Sequence, residues 1–287
     1  MQKNIITVIQ ESYHTFSKSQ KLIADYIVNN YEKVAFMTAA KLAEVVKVSE
    51  STVVRFAAEL GLDGYPELLR QLKEMVPTKL TSVQRIEIAS SNFKEQDILK
   101  NVIHSDIYKL KQTLNTVDRN SFNQAVHSIQ KAKKIYILGV RSAASLASFL
   151  GFYFNLMFEN VKLIHTNSVS EMFEQLIGIG EGDVAIGISF PRYSRRTLKA
   201  MEFAHKSGAK VVAITDSNMS PLNKTADYSL IARSDMASFV DSLVAPLSLI
   251  NALIVSLAMN KKDEMAQTFE KLERIWEEYQ VYDVSQE

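Results

Sequence analysis

Five short runs of β-branched and aliphatic residues punctuate the second half of this chain: 135–139 (IYILG), 161–165 (VKLIH), 183–189 (DVAIGIS), 211–215 (VVAIT) and 228–232 (YSLIA). They are apolar throughout rather than alternating, so each is expected to be buried on both faces. Helical stretches at 143–158, 169–177 and 195–207, and a loop region around 217–226, separate them. Strands alternating with helices specify a parallel sheet covered on both sides. Five of them point to a doubly wound α/β domain with flavodoxin-like strand order 2-1-3-4-5. Two amphipathic helices, 98–114 and 121–131, lead into it. The strongly apolar stretch 238–259 follows it as a long buried or oligomer-facing helix. Met265, Phe269, Leu272, Trp276 and Tyr279 then mark a last amphipathic helix that needs a partner surface.

The first 76 residues have a different character, with helical periodicity and no strand-like alternation. Ile5, Ile6 and Ile9 start one amphipathic helix, followed by Tyr13 and Phe16. Ser17 or Ser19 caps a second over 20–30, with Leu22, Ile23, Tyr26 and Ile27 inward. Gly61 and Gly64 flank a short loop, and Pro66 opens a helix in which Leu68, Leu69 and Leu72 face the bundle. Between them, 38–60 (TAAKLAEVVKVSESTVVRFAAEL) reads as two helices joined by a tight turn. Leu42 and Val46 share a face before the turn, and Val53, Phe56 and Leu60 share one after it. Val48 plugs the angle, and Ala43 is small where the second helix approaches. Ser49 is the N-cap, with Glu50 in the first turn to suit the helix dipole. Ser51, Thr52 and Arg55 are left outward near the second helix's N-terminus. That is the layout of a helix-turn-helix, whose second helix enters the DNA major groove; an αα-hairpin of any helical domain is the plainer alternative. Lys47 stands where such turns commonly use Gly for a left-handed backbone, and its ammonium could meet a phosphate.

Composition limits the alternatives. At 287 residues with 47% hydrophobic content, the chain can build two domains with sizeable cores. No run of 18 or more apolar residues suggests a membrane span, and residues 1–14 lack the features of a signal peptide. The absence of cysteine excludes disulfides and Cys-ligated zinc and suits a reducing cytoplasm. The net charge of +1 favours no class of partner. In residues 1–76, nine Lys/Arg are balanced by nine Asp/Glu. A DNA-binding unit is usually basic because phosphate contacts supply much of the affinity. Charges here must therefore segregate by face, or two units must act together.

In an open α/β sheet, ligands bind beyond the carboxyl ends of the strands where strand order reverses. Between the first and third strands, the loops are 139–143 (GVRSA) and 189–196 (SFPRYSRR). Helices follow both, so backbone N–H groups face an anion, and the hydroxyls and arginines suit phosphate or carboxylate. The first loop lacks the G-x-G-x-x-G of a dinucleotide site. His165 and Glu171 follow the second strand and are the acid/base candidates of an enzymatic reading. His165 also reads as a hydrogen-bonded structural histidine, and Glu171 as a helix N-terminal or hydroxyl-binding residue. No cofactor or metal site is indicated.

These loops resemble those of a SIS (sugar isomerase) domain. With VSESTVVRFAAELGLDGYPELLRQL at the N-terminus and TLKAMEFAHKSGAKVVAITDS and SPLNKTADYSLIA further on, nearly the whole chain is similar to the RpiR family of phosphosugar-responsive transcriptional regulators. Residues 77–95 (PTKLTSVQRIEIASSNFKE) are polar, Ser/Thr-rich and weakly periodic and read as a linker, part of which can be helical. The resemblance implies that the all-α helix-turn-helix domain (1–76) before it binds operator DNA. A doubly wound SIS domain with a five-stranded parallel sheet (96–260) and a C-terminal helix (261–287) follow. It also implies a sugar phosphate or related anionic sugar as effector, and a homodimer or tetramer through the SIS domains. DNA contacts are assigned to Ser49, Ser51, Thr52, Arg55, Lys47, Lys41 and Lys18. Effector contacts fall to Gly139, Arg141, Ser142, Ser189, Arg192, Ser194 and Arg195, with His165 and Glu171. Arg141 stands where many SIS loops carry a second Gly, Ala143 where many carry Ser, and Pro191-Arg192 replace the usual Ser-Gly. Cations have thus replaced neutral donors. The rival class within the fold is a phosphosugar isomerase, which has no evident use for residues 1–76.

Overall fold

A computed structural model describes residues 5–75, 81–92, 97–166, 168–234 and 240–282. Their contacts divide into two units, one running to Ser105 and including Asp241, the other from Asp106 onward. The expected linker (77–95) and the expected apolar helix (238–259) lie partly on residues 76–80, 93–96 and 235–239, outside the described residues.

In the first unit, Ser17 starts the longest helix with a capping box. Its hydroxyl accepts the Gln20 N–H, and the Gln20 side chain accepts the Ser17 N–H at 2.8 Å. The helices are α1 (Ile5–Ser12), α2 (Lys18–Val34), α3 (Ala39–Val46), α4 (Glu50–Glu59), α5 (Tyr65–Met75) and α6 (Ser82–Asn92). Ile9, Ile23, Ile27, Leu42, Val53, Phe56, Leu68 and Leu72 close a single core, in which Phe16 meets Phe56 edge-on at 5.1 Å. Two expectations need correction. The second helix does not stop at Asn30; that residue leaves helical geometry (φ −138°, ψ 26°), and the helix resumes to bury Val34. Leu22 does not face inward but is 48% exposed, since Ile23, Ala24 and Ile27 already fill the inner face. Within 77–95, the described part is the helix α6. Its Arg85 is buried and pairs with Asp241 at 2.8 Å, while Arg85 Nε has no partner among the described residues.

The second unit is built on one sheet of order β2-β1-β3-β4-β5, every pair parallel. The strands are β1 (Ile135–Gly139), β2 (Val161–Leu163), β3 (Val184–Ile188), β4 (Lys210–Thr215) and β5 (Tyr228–Ile231). β2 ends two residues before the expected His165. It is one of the two edge strands and pairs with β1 over three residues only. The helices are α7 (Ile98–Thr116), α8 (Arg119–Gln130), α9 (Ala143–Met157), α10 (Val169–Leu176), α11 (Arg195–Lys206), α12 (Val244–Asn260) and α13 (Lys262–Glu278). The 217–226 loop contains a short 3-10 turn, Pro221–Lys224.

Side-chain alternation sends Ile135, Ile137, Ile186, Ile188, Val212 and Ile214 against α8, α9 and α12. Tyr136, Leu138, Ala185, Val211 and Ala213 go against α10 and α11. The central strands β1, β3 and β4 are buried on both faces, whereas the edge strands β2 and β5 are only partly buried and Lys162 is exposed, which corrects the expectation that each of the five runs is covered on both sides. At Gly187 a Cβ would lie 2.7 Å from Met201 Cγ, so glycine there lets α11 seat directly on β3.

Two helices break the usual pattern. α7, within which the boundary between the units falls, buries Lys109 and Thr113 yet exposes Leu99 (74%) and Leu114 (67%). Its polar side joins the stretch between β5 and α12. Lys109 Nζ lies 3.5 Å from Asp106, whose carboxylate accepts from the Ser242 hydroxyl at 2.6 Å, and Thr113 accepts the Arg233 N–H at 2.9 Å. α13 turns 97° away from α12 and buries no residue. Its apolar seam, Met265 to Tyr279, keeps the 4-3 spacing of a helix-pairing face. Among the described residues no single helix is long and apolar enough to cross a membrane.

Phe56 ties α4 to Phe16, in the stretch between α1 and α2. Phe56→Ala is expected to lower the stability of the helical unit by about 3–5 kcal/mol, measured as a shift of its denaturation midpoint, with the sheet unit's transition unmoved.

Candidate functional site: a recognition helix and two loops at the switch point

The turn between α3 and α4 is built by backbone closure. Thr38 caps α3 by accepting the Lys41 N–H at 3.1 Å. At the other end Lys47 adopts φ 56°, ψ 47°, the left-handed conformation its position in the motif calls for. The Val48 N–H then reaches the Ala43 carbonyl at 3.0 Å and the Lys47 N–H the Glu44 carbonyl at 3.4 Å. This is a Schellman closure, with Val48 packed on the core as its hydrophobic contact. A side chain in this conformation costs about 1 kcal/mol relative to glycine.

Ser49 then caps α4 by accepting the Thr52 N–H at 3.2 Å. Its Oγ also lies 2.9 Å from Ser51 Oγ and 2.7 Å from Thr52 Oγ1, which gathers three hydroxyls at the start of the helix. Arg55 Nε donates to the Ser51 carbonyl at 3.3 Å. One bond anchors that side chain and leaves the two terminal nitrogens of its planar head available for a bidentate contact.

Lys47 is exposed beside this group. Lys41 stands apart, its Nζ 3.2 Å from Glu44 Oε2. Lys18 is exposed in the first turn of α2 and makes no hydrogen bond to the group among the described residues. One residue that sequence reasoning missed is Val54, 43% exposed three positions after Ser51. Its helical spacing was the available signal, and an outward aliphatic group suits a thymine methyl.

In the second unit, β1 and β3 are neighbours with Gly139 opposite Ile188, so both loops leave the same edge side by side. Gly139 is obligatory: a Cβ would stand 2.4 Å from the Ala143 carbonyl oxygen. The chain turns through Arg141 (φ 59°), and the Arg141 carbonyl accepts the Ala144 N–H at 3.0 Å. Ser142 is exposed and makes no capping bond. The second loop turns through Arg192 (φ 64°). Buried Ser189 accepts the Ser194 N–H at 3.2 Å, and Ser194 caps α11 by accepting the N–H groups of Arg196 and Thr197 at 3.2 and 3.4 Å.

Support comes from β4. Thr215 Oγ1 donates to the Ser189 carbonyl at 2.7 Å, with Ser220 Oγ 2.8 Å away. Tyr193 donates to Asp216 at 2.8 Å. Burial, reinforced by the Asp216 charge, pushes the Tyr193 phenol above its ordinary range, so it remains a neutral donor. None of Thr215, Asp216 or Ser220 is evident from sequence, because only the β3–β4 pairing brings them to this loop. Thr197 is equally hidden: its hydroxyl is fully buried in the first turn of α11 with no partner among the described residues. His165 and Glu171 follow β2. His165 is exposed, and Glu171 sits in the first turn of α10, accepting from the Thr166 hydroxyl. No hydrogen bond joins either to the two loops among the described residues.

A helical bundle with a helix-turn-helix, followed by a five-stranded parallel sheet with two serine-bearing loops at its switch point, is the architecture of a two-domain regulator. Residues 3–79 match the helix-turn-helix domain of the rpiR family, and residues 128–256 match the SIS domain. The chain belongs to the RpiR family of transcriptional regulators. It is 27% identical to an uncharacterized HTH-type transcriptional regulator of Haemophilus influenzae, over 93% of this chain and 94% of the relative. Among solved structures it is similar to the sugar isomerase domain of an RpiR transcription factor from Sphaerobacter thermophilus. That match has 27% identity and TM-score 0.60, covering 62% of this chain and 99% of the other. It shares its fold with the Vibrio vulnificus NanR protein complexed with ManNAc-6P at 22% identity and TM-score 0.59, covering 95% and 98%. A phosphoheptose isomerase from Francisella tularensis shares the sheet domain at 18% identity and TM-score 0.50, covering 58% of this chain and all of the other.

Lys47→Gly is expected to raise the stability of the helical unit by no more than about 1 kcal/mol, because relief of the left-handed strain is partly offset by the extra freedom glycine gives the unfolded chain. If Lys47 also touches a phosphate, the same variant will weaken DNA binding and flatten its salt dependence.

Proposed function

We propose that the chain regulates carbohydrate-metabolism genes by binding operator DNA with an affinity that a sugar phosphate or related anionic sugar adjusts. The observation that carries the reading is the side-by-side exit of two serine-bearing loops from β1 and β3, each opening a helix. Donors and helix N-termini converging at a switch point suit an anion. Ser142, Ser189, Ser194 and Gly139 are the phosphate-side residues, with Arg141, Arg192 and Arg195 around them. His165 and Glu171 are assigned to the sugar hydroxyls. A complex of NanR with ManNAc-6P supports a phosphorylated sugar as the ligand class.

On the DNA side, Arg55 with Ser51 and Thr52 reads base edges in the major groove, helped by Val54. Ser49 holds the helix start, and Lys47, Lys41 and Lys18 contact phosphates. The domain that carries them is neutral, so one copy supplies too little phosphate attraction for tight binding. A homodimer or tetramer placing two recognition helices on successive half-sites meets that need. The exposed apolar stripes of α7 and α13 are surfaces available for such pairing. Effector favours one domain arrangement, and residues 77–95 transmit it to the helix-turn-helix.

The isomerase reading is the alternative, since the sheet domain also occurs in isomerases. The match of a transcriptional regulator over nearly the whole chain favours the regulator.

Two measurements test this reading. Arg55→Ala is expected to abolish specific operator footprinting while leaving effector affinity unchanged; an intact footprint would refute the placement of the recognition helix. Operator DNA must also change effector affinity by the same factor that effector changes operator affinity, about 5–150-fold for typical couplings. Effector binding indifferent to DNA rules out the switch, and turnover of a phosphosugar without DNA binding restores the enzyme.

A further inference from the structure

α6 buries its arginine while it exposes its aliphatic residues: Arg85 is 5% exposed, Val83 64% and Ile86 48%. The guanidinium is drawn in by Asp241, 156 residues further on, whose carboxylate accepts from Arg85 at 2.8 Å and is itself largely buried. A buried pair of this kind loses in desolvation much of what it gains in attraction, so its main effect is to fix which segments meet. Arg85 Nε has no partner among the described residues, and an unmet buried donor adds a further cost. The contact is specific, and a second arrangement without it is not far uphill.

Asp241 stands at the end of the stretch that joins β5 to α12. All five strands are parallel, so this stretch leaves the sheet at the same edge as the loops 139–143 and 189–196. Its described ends are pinned. Thr113 accepts the Arg233 N–H at 2.9 Å, the Ser234 hydroxyl donates to the Ser242 carbonyl at 2.9 Å, and the Ser242 hydroxyl donates to Asp106 at 2.6 Å. α12 begins two residues after Ser242 and packs against α9, the helix that the 139–143 loop opens. A run of packed elements thus leads from that loop through α9 and α12 to Ser242, one peptide bond from the carboxylate that α6 holds. In the helical unit α6 follows α5, which packs against α4.

We propose that the Arg85–Asp241 pair is the latch through which the effector loops and the DNA-binding helices influence each other. It is closed in one arrangement of the chain and open in the other, and effector at the two loops selects between them. The inference rests on the regulator reading and adds the residues that carry its coupling.

The test uses the full-length protein, a DNA duplex that it selects from a random pool, and a set of pentose 5-phosphates, hexose and hexosamine 6-phosphates and sugar acids. In the native chain a bound sugar is expected to change the Kd for the duplex at least fivefold, the low end of typical couplings. Arg85→Met combined with Asp241→Leu exchanges the pair for apolar side chains, a replacement that buried pairs commonly tolerate. This double variant is expected to keep its Kd for the duplex alone and for the sugar alone within threefold of the native values, while the coupling between them falls below twofold. Asp241→Glu keeps the carboxylate and is expected to retain at least threefold coupling. Coupling that persists in the double variant, or that disappears only together with duplex or sugar affinity, overturns the latch and leaves the regulator reading standing. A native chain that selects no duplex, binds none of the sugars, or binds both without coupling overturns the two together.

Discussion

The β1–β3 pairing is the contact on which the sheet-bearing half depends. Its five-residue parallel register sets Gly139 against Ile188, so the chain must leave both strands at one level of one edge. Parallel strands send their connections away in the same direction, and a reversal of strand order leaves a crevice between two such exits. The remaining features of the two loops are local: a glycine without room for a Cβ, two arginines in left-handed turns, and a serine cap on α11 where α9 opens without one. The β4 hydroxyl of Thr215, with Ser220 beside it, braces the second loop from below. A slip in that register would separate the two loops.

The DNA-facing half depends on a different device. Lys47 accepts an unfavourable conformation so that Val48 can close the helix end and fill the angle between α3 and α4. The angle is held by backbone bonds and core packing, which frees the outer side chains of α4 from structural duty. Ser49 is the exception, since its hydroxyl is spent on the cap. Arg55 is held by one backbone bond while its terminal nitrogens remain outward.

Much of this is legible in the chain. Strands apolar on both faces announce themselves, and each of the five expected runs coincides with an observed strand, with boundaries off by a residue or two from β2 onward. The helix-turn-helix follows from cap residues and spacing. Other features are hidden because they are matters of partnership. Leu22 has an apolar side chain on the right period, yet its neighbours already fill the face. α7 reads as an ordinary amphipathic helix, yet it buries Lys109 and Thr113 because Asp106, Ser242 and Arg233 offer polar partners there. The Tyr193 hydroxyl finds its acceptor only when Asp216, 23 residues away, is brought beside it.

By itself, the sequence determined the two domains, the strand order and the identity of the two loops, because periodicity, caps and apolar runs act over a few residues at a time. The tertiary structure decided what those residues do to one another. It set Arg141 and Arg192 in left-handed turns after neighbouring strands, tied Ser189 to Thr215, and left the apolar face of α7 and part of that of α13 exposed. Those outcomes depend on groups far apart in the chain competing for the same space and the same hydrogen bonds, and local pattern does not record that competition.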